Sequence, residues 1–291
     1  MARLKVAVLR GGPSSEYDVS LKTGGEVLRH MPEDYEKHDV FISRDGMWHV
    51  GGVARSPERI LRHVDVAFNA LHGSFGEDGK IQQLFEKFGV RYTGSGPLPS
   101  AVGMNKLLSK QLFEKQGIRT PRHIILRKEH VHHNGLLDIF RSFELGFSYS
   151  PTLLLEEYIR GKEVTCGVVD HFRDKQTYAL LPVFIDKPKV SGYFDYESKY
   201  SGENLHHLPK GYLTEDEIKK IENLAVTAHE ALGLRHYSRS DFIVSKQGIY
   251  ILEINTLPGL TPDSLFPFSL EAIGCTLPQF IDHVLNLALS K

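Results

Sequence analysis

Short apolar runs alternate with amphipathic stretches and glycine-rich turns through the first hundred residues. Lys5 to Leu9, Glu36 to Ile42, Met47 to Val50, Val64 to Ala70 and Val90 to Thr93 read as strands. Ser20 to His30 and Ile81 to Phe88 read as helices, the second stopped by Gly89. Strands and helices alternating at this spacing predict a parallel, doubly wound sheet, which places ligands at the carboxyl ends of its strands. Gly94 to Pro99 punctuates the chain, and one helix is expected over Ser100 to Gln116, ended by Gly117 and Thr120-Pro121.

From Arg122 the pattern becomes strand-rich. His123 to Leu126, Thr152 to Tyr158, Glu163 to Val169 and Thr177 to Phe184 are expected as strands. Thr214 followed by Glu217 is a capping box, so a helix is expected from Thr214 to Leu232. Strands around Arg239 to Val244 and Ile249 to Ile254 and a helix over Leu277 to Leu289 complete the chain. The pattern implies an α/β protein, α+β overall, in three parts: an N-terminal Rossmann-like domain over 1–99, a central domain over 100–180 and a C-terminal domain over 181–291.

Composition narrows the function classes. The 291 residues are 41% hydrophobic and 24% charged, an ordinary globular balance. A formal net charge of -1 offers no bulk field for nucleic acid or an anionic membrane, so any polyanion must be held locally. No window approaches the run of about 20 apolar residues that spans a bilayer, and MARLKVAVLRGG is too weakly apolar for a signal peptide. The two cysteines, Cys166 and Cys275, lack metal spacing and read as buried thiols of a reducing cytoplasm.

Against that background a few segments could carry chemistry. In RSDFIVSKQGIYILEIN, the Lys246-Gln247-Gly248 turn joins two strands, and period-two geometry puts Glu253 and Asn255 on one face with Asp241 opposite them. Two carboxylates and an amide oxygen are hard ligands suited to Mg²⁺, and Arg239 on the same face complements phosphate charge. ALHGSFGEDGKIQ follows a buried strand with three glycines, a histidine and two acids, where an α/β sheet places ligands. In RGGPSSEYDVSLKTG, Glu16 could anchor an ammonium group, against the plainer reading of a glycine turn and helix cap. In LLLEEYIRGKEVT, Glu156, Glu157 and Glu163 could accept hydrogen bonds from ribose or an amino group, or be solvated. GYFDYESKYSGE, with Lys199 beside Tyr200, is composed like a lid over a site. The histidines His130 to His133, His206 and His207 read as solvated faces.

Taken together, GGPSSEYDVSLKTG, NALHGSFGEDGKIQ, YTGSG, MNKLLSK, EEYIRGKEV, DYESKY and LEINTLPGLTPDSL occur in an order that resembles the D-alanine–D-alanine ligases of the ATP-grasp superfamily. The resemblance implies ATP-grasp architecture and ATP-dependent formation of D-alanyl-D-alanine through an acyl phosphate for peptidoglycan precursor synthesis. It implies that Glu16 orients the amino group of the first D-alanine and that His72 lies near its carboxylate. Lys106 would contact ATP phosphates, Glu156 and Glu163 the adenine side and ribose, and Lys199 and Tyr200 would belong to a closing loop. Arg239 would steady the transition state. Asp241, Glu253 and Asn255 would hold two Mg²⁺ (or Mn²⁺) ions, and Ser264 and Leu265 the carboxylate of the second D-alanine. A cytoplasmic homodimer with D-alanine and ATP as its substrates is the implied assembly.

One interval departs from the family. Between Pro121 and Glu156 the sequence has no Lys-Pro pair, no Gly-Ser-Ser loop and only Gly135 and Gly146 as glycines. A missing stretch is expected near Phe143-Glu144, and with it a phosphate-binding lysine and a flexible loop. The expected consequence is reduced ATP affinity and turnover. A ligase with D-lactate or D-serine as second substrate, and a weakly catalytic relative that binds nucleotide or amino acid, stand as alternatives. Ser240, polar where an aliphatic residue is usual, is a smaller departure.

Overall fold

The computed structural model describes residues 3–130, 137–186 and 205–290. Its first sheet grows around β1 (Leu4–Gly11), which pairs in parallel with β2 (Tyr35–Ile42) on one side and β5 (Val66–Asn69) on the other. β6 (Arg91–Tyr92) extends the parallel set, while β3 (Trp48–Val50) and β4 (Val53–Ala54) form an antiparallel edge. Parallel strands are covered on both faces, which explains why Val6 to Leu9 is fully buried without alternation. Ala7, Leu9, Ile42 and Phe85 share one core, and α3 (Lys80–Lys87) lies over it. The other face carries α1 (Tyr17–His30).

The second sheet is antiparallel. Its order is β12 (Leu205–His207), β11 (Val183–Asp186), β9 (Lys162–Phe172), β13 (Tyr237–Ser245) and β14 (Gly248–Asn255), with β10 (Lys175–Ala179) also paired to β9. Val164, Cys166, Phe242, Ile251 and Ile254 on one face pack with Ile221, Ala225 and Ala228 of α7 (Glu215–Ala231). A separate pair, β7 (His123–Arg127) and β8 (Thr152–Glu156), forms a two-stranded sheet against which α6 (Leu137–Tyr149) packs.

α8 (Leu265–Ala272) and α9 (Leu277–Leu289) bring the two sheets together. Phe280, Ile281, Val284 and Leu285 share a core with Val6, Val8 and Phe68 of the first sheet and Val169 and Tyr237 of the second. Each such side chain contributes about 1.5–3 kcal/mol when fully buried, so the last helix fixes one sheet relative to the other.

Several elements differ from the sequence expectation. The helix foreseen over Ser100 to Gln116 is two, α4 (Pro97–Met104) and α5 (Lys106–Lys115), because the Asn105 side chain accepts from the amides of Leu107 and Leu108 and starts the second. The strand foreseen over Thr177 to Phe184 is likewise split into β10 and β11; Pro182 falls in the gap, where it has no amide to give a ladder. α1 begins earlier than foreseen, at Tyr17. β9 and β10, drawn from the stretch assigned to a central domain, pair within the C-terminal sheet. Cys166 and Cys275 are both buried and unbridged. His206 and His207 are half-buried rather than solvated, His207 stacking on Phe184 and Tyr212.

Candidate active site

The β13–β14 hairpin sets Asp241 opposite Glu253 and Arg239 opposite Asn255. A bulge makes this possible. The register skips from Asp241↔Glu253 to Phe242↔Ile251, leaving Leu252 as an extra residue. Without it, strict alternation from Ile251 would turn Glu253 and Asn255 into the core that Ile251 and Ile254 fill. With it, both residues join Arg239 and Asp241 on the opposite face. Thr165 of β9 pairs with Asp241 and donates its hydroxyl to Asp241 Oδ1 at 2.7 Å. Glu163 lies two residues before Thr165 and therefore shares its face.

Cations of the chain itself already address these acids. Arg239 donates through Nε and Nη2 to both Asp241 oxygens, each at 3.0 Å. Lys106, at the start of α5, sets Nζ 2.5 Å from Glu253 Oε2. Burial lowers the Lys106 pKa, but Glu253, Glu156 and Asp241 together raise it above the usual lysine value. Lys110, one turn further along α5, is fully buried with Nζ 2.6 Å from Glu156 Oε1 at the end of β8.

The first sheet supplies the other half. Glu16 is the N-cap residue of α1, and His72 lies just beyond β5. Glu16, His72 and Glu77 bring ligand-type atoms within 4.8 Å of one another. His72 is 3% exposed, with Nε2 2.9 Å from Thr23 Oγ1. Burial pushes its pKa down to about 4, helped by the charge of Arg239 and opposed by a hydrogen bond to the Leu257 backbone, so the ring is neutral near pH 7. Burial pushes Glu77 up to about 8, and Glu16 adds to this, against the amides of Gly73 and Leu257. Gly73 has φ +67, and a Cβ there would come within 2.6 Å of Ser14 Oγ. Glycine is therefore required where the turn meets the Glu16 loop.

Ser264 is the N-cap residue of α8, with its hydroxyl 2.8 Å from Thr261 Oγ1, and Leu265 opens that helix. Lys199 and Tyr200, expected in a lid, lie outside the described residues.

Comparison with known proteins gives the same outline. A family model described as D-ala D-ala ligase C-terminus matches residues 112–286, and one described as D-ala D-ala ligase N-terminus matches residues 5–61 and 52–95. A D-alanine--D-alanine ligase of Pelotomaculum thermopropionicum is 34% identical over 325 aligned positions, covering 99% of this chain and 98% of the relative. The chain belongs to the D-alanine–D-alanine ligase family. A D-alanine--D-alanine ligase of Halalkalibacterium halodurans is 33% identical over 321 positions, covering 99% and 100%. Among solved structures, D-alanine--D-alanine ligase from Bacillus anthracis complexed with ATP has a TM-score of 0.80 at 27% identity, covering 100% and 98%. VanG D-Ala:D-Ser ligase from Enterococcus faecalis has 0.83 at 25%, covering 99% and 100%. The fold is the ATP-grasp architecture of these ligases. Both curated alignments run longer than the chain's 291 residues, so these family members carry positions that it lacks.

Three residues at the site were not foreseen: Thr165, Lys110 and Glu77. Thr165 could have been found from its place on a strand two residues after Glu163. Lys110 follows Lys106 by four residues, the spacing of one helix face. Glu77 was visible only as one of two acids in a glycine-rich turn.

Proposed function

We propose that the chain joins two D-alanine molecules into D-alanyl-D-alanine, converting ATP to ADP and phosphate. The observation that carries this reading is the single sheet face holding Arg239, Asp241, Glu253 and Asn255, set beside the buried Glu16–His72 pocket. The curated relatives above, named for this reaction and matched over nearly their whole length, support it and favour D-alanine as second substrate.

Asp241, Glu253 and Asn255 fit a divalent cation, and we assign two Mg²⁺ (or Mn²⁺) ions to them. All three offer hard oxygen donors, and the face already draws positive charge: the Lys106 ammonium to Glu253 and the Arg239 guanidinium to Asp241. When bound, the ions would neutralise the phosphate oxygens of ATP and the charge that develops on them during transfer.

The chain's own groups do the rest. Glu16 receives the ammonium of the first D-alanine, and the neutral His72 lines the pocket at its carboxylate. That carboxylate attacks the γ-phosphorus, ADP leaves, and an acyl phosphate results. The amine of the second D-alanine, held by its carboxylate at Ser264 and Leu265, attacks the acyl carbon and gives up a proton, which leaves with the phosphate or passes to solvent. Arg239 stabilises the charge of the tetrahedral intermediate before phosphate departs. Lys106 faces the ATP phosphates, while Glu156, seated by Lys110, and Glu163 serve the adenine and ribose side. Lys199 and Tyr200 would close over the reactants and keep water from the acyl phosphate.

A homodimer in the cytoplasm is the assembly we assign, and light scattering tests the dimer. Among the described residues no helix is long and apolar enough to cross a membrane. The activity test is direct. Purified chain with ATP, Mg²⁺ and D-alanine should release phosphate and D-alanyl-D-alanine in equal amounts; phosphate release without dipeptide would sink the reading.

A further inference from the structure

The two halves of the site meet at the backbone of one residue. The Leu257 amide donates to Asn255 Oδ1 at 2.9 Å and to Glu77 Oε1 at 3.2 Å, so one N–H is shared between a site residue of β14 and an acid of the first sheet's loop. The other Glu77 oxygen, Oε2, accepts from the Gly73 amide at 2.7 Å, beside His72. His72 in turn is hydrogen-bonded to the Leu257 backbone. Thr256 Oγ1 lies 3.5 Å from Glu77 Oε1. Glu77 thus spans two turns that are 184 residues apart in sequence, Gly73 and Leu257, with one oxygen for each.

The span is rigid on both sides. Glu77 is 8% exposed, and Leu257 is 2% exposed with its side chain under Gly94, where a Cβ would come within 2.9 Å of Leu257 Cδ2. Gly76, the residue before Glu77, has its carbonyl bonded by the side-chain amides of both Asn69 and Gln82. A buried carboxyl group is costly unless its oxygens are hydrogen-bonded. A chain that only needed to fill this space would do better with an apolar residue. The arrangement instead uses both oxygens on amides from different segments, which only an acceptor at each end can satisfy.

We propose that Glu77 is a positioning residue that holds the Glu16–His72 pocket in register with the Asn255 end of the catalytic strand. It touches neither nucleotide nor transferred phosphate in this scheme. It acts through the Leu257 amide, which Asn255 also holds, while His72 hydrogen-bonds the backbone of the same residue. The proposal deepens the ligase reading and rests on it.

Glu77→Gln is the decisive variant. Its size is unchanged, but one of its two ends becomes an NH₂ that confronts a backbone N–H, so one turn loses its anchor. Two-substrate kinetics should show the KM for the first D-alanine rising about tenfold or more, the range expected when a buried backbone amide is left without its acceptor. The KM for ATP should stay within about twofold, a split that a general loss of folded protein would not produce. D-alanine binding by calorimetry should weaken in parallel. Glu77→Asp keeps the carboxyl group but is a methylene short of spanning both turns; it should give the same split, and it substitutes for Glu77→Gln should that variant fail to fold. Equal first-site KM values in parent and variant, or matching rises in both KM values, would overturn the positioning role while leaving ligation intact. A parent chain that neither binds nor ligates D-alanine would overturn both.

Discussion

Asp241 and Glu253 differ from ordinary surface acids in being answered by cations from two directions, Arg239 along the same strand and Lys106 from a helix. Removing one of these charges should cost far more in turnover than in stability. Asp241→Asn is expected to lower kcat/KM at least about a hundredfold, near 2.7 kcal/mol of transition-state stabilisation, with circular dichroism unchanged. His72 gives a second test with a defined sign. Its folded pKa of about 4 lies below the usual 6.5. Above pH 6.5 the ring is neutral folded and unfolded alike; as pH falls towards 4 only the unfolded chain takes the proton, so stability is lost across that window. The groups facing the ring are Thr23, Glu16, Glu77, Arg239 and the Leu257 backbone, and Glu77, with its pKa raised to about 8, acts oppositely, losing stability as pH rises from 4.5. His72→Gln should therefore flatten the acid limb of unfolding free energy against pH between 6.5 and 4, by up to about 1.4 kcal/mol per unit. Parallel limbs for parent and variant would refute this.

Among the elements, the hairpin was the most legible. Alternating residues around a Lys-Gln-Gly turn were enough to join Asp241 to Glu253 and Asn255. The Leu252 bulge was not legible, because Ile251 and Ile254 both being core residues can be reconciled with an outward Glu253 only once the partner strand's register is known. The split at Asn105 had a local signal, an N-capping residue inside a helical run, but the apolar periodicity on either side masked it. Asn105→Ala should cost about 1 kcal/mol by chemical denaturation. Because Lys106 is the next residue, the KM for ATP should rise in the same variant; unchanged stability would remove the cap from the account. Glu77 lay beyond sequence reasoning altogether, since nothing near it in sequence shows that the Leu257 amide would approach.

On the scale of the molecule, the parallel sheet and the final helix followed from patterning, whereas the way α9 ties the two sheets together did not. The smallest sheet is the leaf of β7, β8 and α6, which falls in the interval where a missing phosphate-binding loop was expected. Grafting a relative's corresponding interval in place of the stretch between Arg127 and Thr152 should lower the KM for ATP, measured by phosphate release; no change would mean that this interval is not what limits nucleotide binding here. The same leaf has a kinetic consequence. Ile124 and Ile125 of β7 and Leu155 of β8 are 56%, 48% and 45% exposed, and each strand has one ladder partner. Two strands alone are marginal in water, while β9 and β13 are flanked on both sides and buried. Amide deuteration should therefore run on two clocks, with β7 and β8 exchanging through local opening long before β9 and β13 release their protons.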